Sequence, residues 1–245
     1  FQLPTETVEL PSKGLLYPED SPLAKGTIEM KYMTAKEEDI LTNQNYIQKG
    51  TVIDKLLQSL IVEKEVEYNQ LLIGDKNAIM VAARILSYGK DYSFNFKGEE
   101  LTVDLTSLNP KAVDYSLYES RKNQFTFTLP TSGNVVTYKI LTHEDEKAID
   151  RELQGLKKLN KEESSEVTTR LKHMLLSVNG LSDRKEVRDF VDGYLLAKDA
   201  RALREEYSKI TPDVNLVFPY ENENGVEEDV DLPIGLNFFW PDAWL

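Results

Sequence analysis

The chain has 245 residues, 40% of them hydrophobic and 29% charged, which suits one large or two small packed domains and is too apolar for a disordered chain. With no cysteine it has no disulfides, thiolate metal sites or cysteine nucleophiles, so the fold is held by its core, as expected of a protein made in a reducing cytoplasm. A formal net charge of −13 without a basic patch argues against nucleic acid or an anionic membrane as partner, and no apolar run approaches the ~20 residues that span a bilayer.

The opening residues have no basic, then apolar, leader pattern, so no secretory signal is expected; because Phe1 is not methionine, a short preceding piece is. Pro4, Pro11, Gly14, Pro18 and Pro22 forbid regular helix over residues 1–25 and predict an extended arm. Such an arm is ordered only by lying on a surface, its own domain's or a neighbour's. Residues 27–33 alternate, with Ile28, Met30 and Tyr32 on one side, which predicts a half-buried strand. Thr34-x-x-Glu37 is a capping box for a helix carrying Ile40, Leu41 and Ile47 to a stop at Gly50. A second helix is expected over 52–60. A third is expected from an Asp75 N-cap to Gly89, and its small residues Ala78, Ala82 and Ala83 would admit a closely packed element.

Two hairpins follow, one turning at Lys97-Gly98 and one at residues 130–134. At Thr142 the period becomes helical. Four helices are expected: one capped by Thr142 and running to about Leu159, one over 162–178 with Val167, Leu171, Leu175 and Val178 inward, one capped by Ser182 with Val187, Phe190, Val191 and Tyr194, and one from Asp199 that ends before Pro212. Strands over 214–218 and 226–232 flank a turn closed by Asn224-Gly225. The fold class is therefore α+β. Its segments are an extended arm (1–25), a β-rich α+β domain (26–141), a helical bundle (142–211), and a C-terminal hairpin with an aromatic tail (212–245).

Little in the sequence points to chemistry. His143 and His173 stand apart from any serine or carboxylate at a triad spacing. Glu37-Glu38-Asp39 and Glu144-Asp145-Glu146 open helices, where negative charge suits the helix dipole. Glu227-Glu228-Asp229 with Asp231 would be split between two faces of a strand, a solvated edge rather than a cation site. No glycine pattern cradles a phosphate. No catalytic, cofactor-binding or metal-binding residue is expected, and the chain is not read as an enzyme. The unusual feature is the end, where Phe238, Phe239, Trp240 and Trp244 gather both tryptophans and two of the nine phenylalanines. They either close the chain's own core or anchor a neighbour.

In its order of pieces the chain resembles the baseplate hub subunit and hub assembly proteins of T-even-like contractile phages. The resemblance lies in Leu10-Pro11-Ser12-Lys13-Gly14-Leu15-Leu16-Tyr17-Pro18, Tyr32-Met33-Thr34-Ala35-Lys36-Glu37, Leu72-Ile73-Gly74-Asp75-Lys76-Asn77, Leu141-Thr142-His143-Glu144-Asp145-Glu146 and Leu232-Pro233-Ile234-Gly235-Leu236-Asn237-Phe238-Phe239-Trp240-Pro241. Many such chains carry Cys-x-x-Cys in the final hairpin. Here residues 218–225 have no thiol, so no zinc knuckle is implied. The resemblance implies a structural or assembly component of the baseplate hub, or alternatively a transient assembly chaperone that leaves before the virion is complete. Its location would be the virion tail or the host cytoplasm during assembly. Other hub or tail proteins would be its partners, and a homo-oligomer stays open. The arm and tail are the expected contacts, through Leu15, Tyr17, Phe238, Phe239, Trp240 and Trp244.

Overall fold

The computed structural model describes residues 1–159 and 165–239. The arm contains a strand that its prolines hid. β1 (Thr5–Glu9) pairs antiparallel with β2 (Thr27–Lys31), from Thr5 opposite Lys31 to Glu9 opposite Thr27. The residues between them fold back on themselves. Gly14 and Gly26 hold φ of +74° and +80°, and a Cβ on either would come within 2.5 Å of a backbone oxygen, Ala24 O or Lys13 O. Two stretches of the loop thus pack main chain on main chain, which only glycine permits.

The Thr34/Glu37 capping box starts α1 (Ala35–Leu41) as expected. The expected single helix to Gly50 is instead two. Asn43 caps α2 (Gln44–Lys49), its Oδ1 accepting from Tyr46 N at 3.1 Å. Asn favours local side chain to backbone bonds over a helix interior, and here it restarts the helix. α3 (Val52–Leu60) buries Val52, Leu56, Leu57 and Leu60.

α4 (Ile73–Tyr88) begins two residues before the expected cap, which leaves Asp75 inside the first turn. Asp75 is fully buried and accepts from Ser12 N at 3.0 Å, Ser12 Oγ at 2.6 Å and Tyr17 Oη at 2.6 Å. Tyr17 Oη in turn accepts from Leu72 N at 2.9 Å. Burial raises the Asp75 pKa against the pull of these donors. Beside it, a Cβ on Gly74 would lie 1.9 Å from Pro212 O, so the chain after the last helix crosses directly over the start of α4.

β3 (Asp91–Phe96) and β4 (Glu99–Asp104) form the first expected hairpin, and β5 (Phe125–Thr128) and β6 (Val135–Tyr138) the second. α5 spans His143–Leu159. Of the helix expected over 162–178, residues 162–164 lie outside the described residues and the rest is corrected: α6 (Glu166–Met174) stops and β7 (Leu175–Val178) joins β6, extending that sheet to three strands. A spacing of four, four and three apolar residues fits a helix turning into a strand as well as one long helix. The outcome is set by β6, whose neighbour Lys139 N donates to Met174 O at 3.0 Å.

α7 (Arg184–Gly193) is capped by Asp183 rather than Ser182, through bonds from Lys185 N and Glu186 N. α8 (Ala197–Ile210) starts before Asp199, whose carboxylate reaches out to accept from Thr131 N at 2.8 Å and Ser132 N at 3.0 Å. β8 (Val217–Glu221) and β9 (Glu227–Asp231) form the last hairpin, with β8 starting three residues later than expected. Helices and antiparallel sheets make an α+β fold. Its buried side chains are continuous from Leu10 to Phe239, across all four segments read from the sequence.

Asp75→Ala would leave three buried donors without an acceptor. It is expected to lower unfolding free energy by about 2–3 kcal/mol in urea titration and to speed amide exchange first over residues 10–26. A variant as stable as the parent would show that this carboxylate does not hold the loop.

Candidate interaction surface

The C-terminal tail is built onto the β3–β4 hairpin by aromatic contacts. Phe94 meets Phe218 edge-on at 5.8 Å and Phe96 meets Tyr220 at 5.6 Å, which ties the first hairpin to the last. Tyr92 Oη donates to Pro233 O at 2.6 Å, and its ring stands edge-on to Phe238 at 4.8 Å. Arg84 of α4, which donates to Gly89 O at 2.9 Å and Asp91 O at 3.0 Å, lies 5.8 Å from the Tyr92 ring and 6.0 Å from the Phe238 ring. Phe238 and Phe239 are 1% and 0% exposed. As far as Phe239, the tail closes the chain's own core.

The arm residues named from the sequence are also engaged at home. Tyr17 is buried on Asp75, and Leu15 is half-buried against the core. Trp240 and Trp244 lie outside the described residues. The structure therefore gathers Tyr17, Phe238 and Phe239 into one core and leaves the surface to other side chains.

Those side chains include Tyr194 at 75% exposure and Leu181 at 58%, with Val135 and Leu196 also exposed. The sequence placed Tyr194 on this helix with Val187, Phe190 and Val191, but α7 ends at Gly193 and Tyr194 leaves its register. Val167, expected inward, is exposed as well. Val135 sits beside Asn179, which accepts from Val135 N at 2.9 Å, and Leu181 follows two residues later. The Asp199 contact with residues 131 and 132 brings the start of α8 to the same β5–β6 turn. The only sequence signal for this surface was the short apolar run Tyr194-Leu195-Leu196 between two helices.

His143 is not isolated. Asp54 from α3 receives a 2.6 Å bond from Tyr68 Oη and a 2.9 Å ion pair from Lys76, and it stands 3.5 Å from His143 Nε2. Lys76 Nζ is 3.2 Å from His143 Nδ1, and the Tyr68 ring packs edge-on to the imidazole at 4.8 Å. Neutral His143 with its proton on Nε2 satisfies all of these partners at once. Burial, with Lys76 next and Lys147 after it, lowers the His143 pKa against the carboxylates of Asp54 and Glu146. The four side chains use one another's donors and acceptors, and they clamp α3, α4 and α5 together. Their positions in sequence, 54, 68, 76 and 143, gave no motif to find.

Comparison with known proteins gives one family. Residues 4–240 match the family model described as T4 bacteriophage base plate protein. No curated protein and no solved structure matches.

Two outcomes are expected. Phe238→Ala should cost about 3–5 kcal/mol of stability in chemical denaturation, as for a fully buried ring; a loss below about 1 kcal/mol would return the tail to the surface. The second concerns pH. The unfolded chain takes up a proton at His143 near pH 6.5 while the folded chain resists it, so stability present above that pH falls as pH drops below it. Glu37 contributes a separate loss at lower pH: burial raises its pKa, but bonds from Lys31 and Thr34 outweigh that and hold it at about 2 instead of 4.5. Thermal melts from pH 7.5 to 5 should show a declining midpoint that flattens in His143→Gln; equal slopes in the two proteins would refute the assignment.

Proposed function

The chain belongs to the T4 bacteriophage base plate protein family, and from that premise we propose that it is a non-enzymatic component of the baseplate's central hub that acts by binding other hub or tail proteins. The family supports a structural or assembly role in the phage baseplate and association with other tail or baseplate proteins. The hub placement rests on the resemblance of the sequence motifs, and the observation that carries the proposed mode of binding is the division of labour in the tail. Phe238 and Phe239 are spent on the chain's own core, where Tyr92 and Arg84 meet the Phe238 ring and Phe239 stands edge-on to Phe238 at 5.2 Å. Trp240 follows at once in the sequence and Trp244 soon after, so the partner contact proposed for the tail rests on these two. Large aromatic rings are the side chains most often found at the energetic centres of interfaces. The half-buried Leu15 is the arm's remaining candidate.

A transient assembly chaperone is the second reading, favoured by the net charge of −13, which keeps a free chain soluble before it is incorporated. Mass spectrometry of purified virions separates the two. Stoichiometric peptides from this chain support the stable component, and their absence supports the chaperone. Trp240→Ala with Trp244→Ala is expected to leave the circular dichroism spectrum unchanged and to weaken pull-down of hub proteins by about tenfold or more. Undiminished pull-down would remove the tail from the interface.

A further inference from the structure

We propose that the free edge of β1, with the apolar groove beside it, receives an extended basic segment of a partner protein, which adds a third strand to the β1–β2 sheet. This rests on the reading that the chain works by protein–protein binding, and it names where and with what chemistry.

The edge comes first. Leu10 N donates to Gly26 O at 2.9 Å and Tyr32 N to Pro4 O at 3.2 Å. In an antiparallel pair the bonded positions alternate, so residues 6 and 8 also turn their backbone groups toward β2. Thr5, Thr7 and Glu9 therefore turn their N–H and C=O groups outward. β1 is exposed except at Val8, and β2 is its one strand neighbour among the described residues. Three outward residues offer a ladder that an extended segment can complete.

The second observation is a groove of about 500 Å³ with β1 as one wall. Val8, Glu9 and Leu10 form that wall, Ala78, Ala82 and Ile85 of α4 form the floor, and Leu108 and Pro110 stand opposite. Ala78, Ala82 and Ile85 are four and three residues apart and share one helix face. Small side chains there let a backbone lie close to the helix. The opposite wall is itself extended main chain, with Lys111 N donating to Asp213 O at 2.8 Å and Asn215 N to Asn109 O at 3.0 Å. The opening is thus shaped for a strand, with room for small apolar side chains on its inward positions.

Charge selects the occupant. Two lysines border the groove: Lys25 pairs with Glu63 at 2.8 Å, whereas Lys13 lies 3.9 Å over the Tyr115 ring and keeps its charge, which Glu9 balances. Glu9 is exposed and makes no ion pair among the described residues, and Glu6 sits on the same strand. On a chain of net charge −13, a second copy would bring the same acidic strand against this one. A segment that alternates small apolar residues with Lys or Arg meets both the groove and the field.

The test uses the full chain and fluorescent peptides of alternating Lys-Val, Glu-Val and Lys-Gly sequence, read by anisotropy. The Lys-Val peptide is expected to bind saturably, and Thr7→Pro and Ala82→Leu are each expected to weaken it by about tenfold or more. Thr7→Pro removes an outward N–H without breaking the β1–β2 ladder, and Ala82→Leu fills the floor without touching β1. Circular dichroism melts confirm that each variant is folded. The proposal falls if the Lys-Val peptide does not bind, if Lys-Gly or Glu-Val binds as well as it does, or if neither substitution matters. It also falls if sedimentation shows a dimer that Thr7→Pro dissociates, since the occupant is then a second copy. Pull-down of hub proteins by both variants at the parental level would keep the protein-binding reading and remove this groove from it.

Discussion

A carboxylate taken out of water must be met by donors, and Asp75 meets its own with Ser12 and Tyr17 from more than fifty residues earlier. That requirement couples pieces of chain that local propensity would leave independent. The turn-rich stretch after β1 cannot settle without α4, and the first turn of α4 gains a buried acceptor's worth of contacts only when that stretch is in place. Gly74 extends the coupling, because the missing side chain lets Pro212 cross the same helix start. The loop, the helix and the segment leading to the last hairpin therefore meet within two residues. The stretch so fixed joins β1 to β2, which pair from Thr5 opposite Lys31 to Glu9 opposite Thr27. The groove between β1 and α4 inherits its shape from the same junction.

What could be read from the sequence divides by the range of the interaction. The Thr34/Glu37 box, the Lys97-Gly98 turn and the period change at Thr142 depend on neighbours within a few residues, and each appears where expected. β1 and β7 depend on strands brought from elsewhere. β1 is masked by flanking prolines, and β7 by an apolar spacing that a helix would share. The Asp54, Tyr68, Lys76 and His143 cluster was illegible for the same reason, since no spacing links four positions on separate elements. Tyr194 shows the complementary error: periodicity assigned it to a helix, and that helix stopped one residue too soon.

The aromatic tail poses a sharper version of this problem. Composition says that such a tail must be covered, but it does not say by what. Phe238 and Phe239 are both buried by the chain itself, and Phe238 is met by Arg84 of α4 and Tyr92 of β3 where the returning chain passes. Neither residue was singled out from sequence, since a tyrosine in a hairpin and an arginine near a helix end are ordinary. The arm behaves alike. Its Tyr17 was expected at a partner contact, whereas its structural use lies in the hydroxyl, which donates to one buried group and accepts from another.

These assignments change where partner affinity can come from. A side chain already fixed in its own core has no surface left to give, and withdrawing it for a partner would forfeit the core contacts first. Backbone edges carry no such cost. The outward N–H and C=O groups of Thr5, Thr7 and Glu9 are held in strand geometry by β2 whether or not a partner is present, so the ordering entropy has been met in folding. In the proposed pairing the main-chain ladder supplies affinity, and the small residues of α4 beside it set which side chains fit.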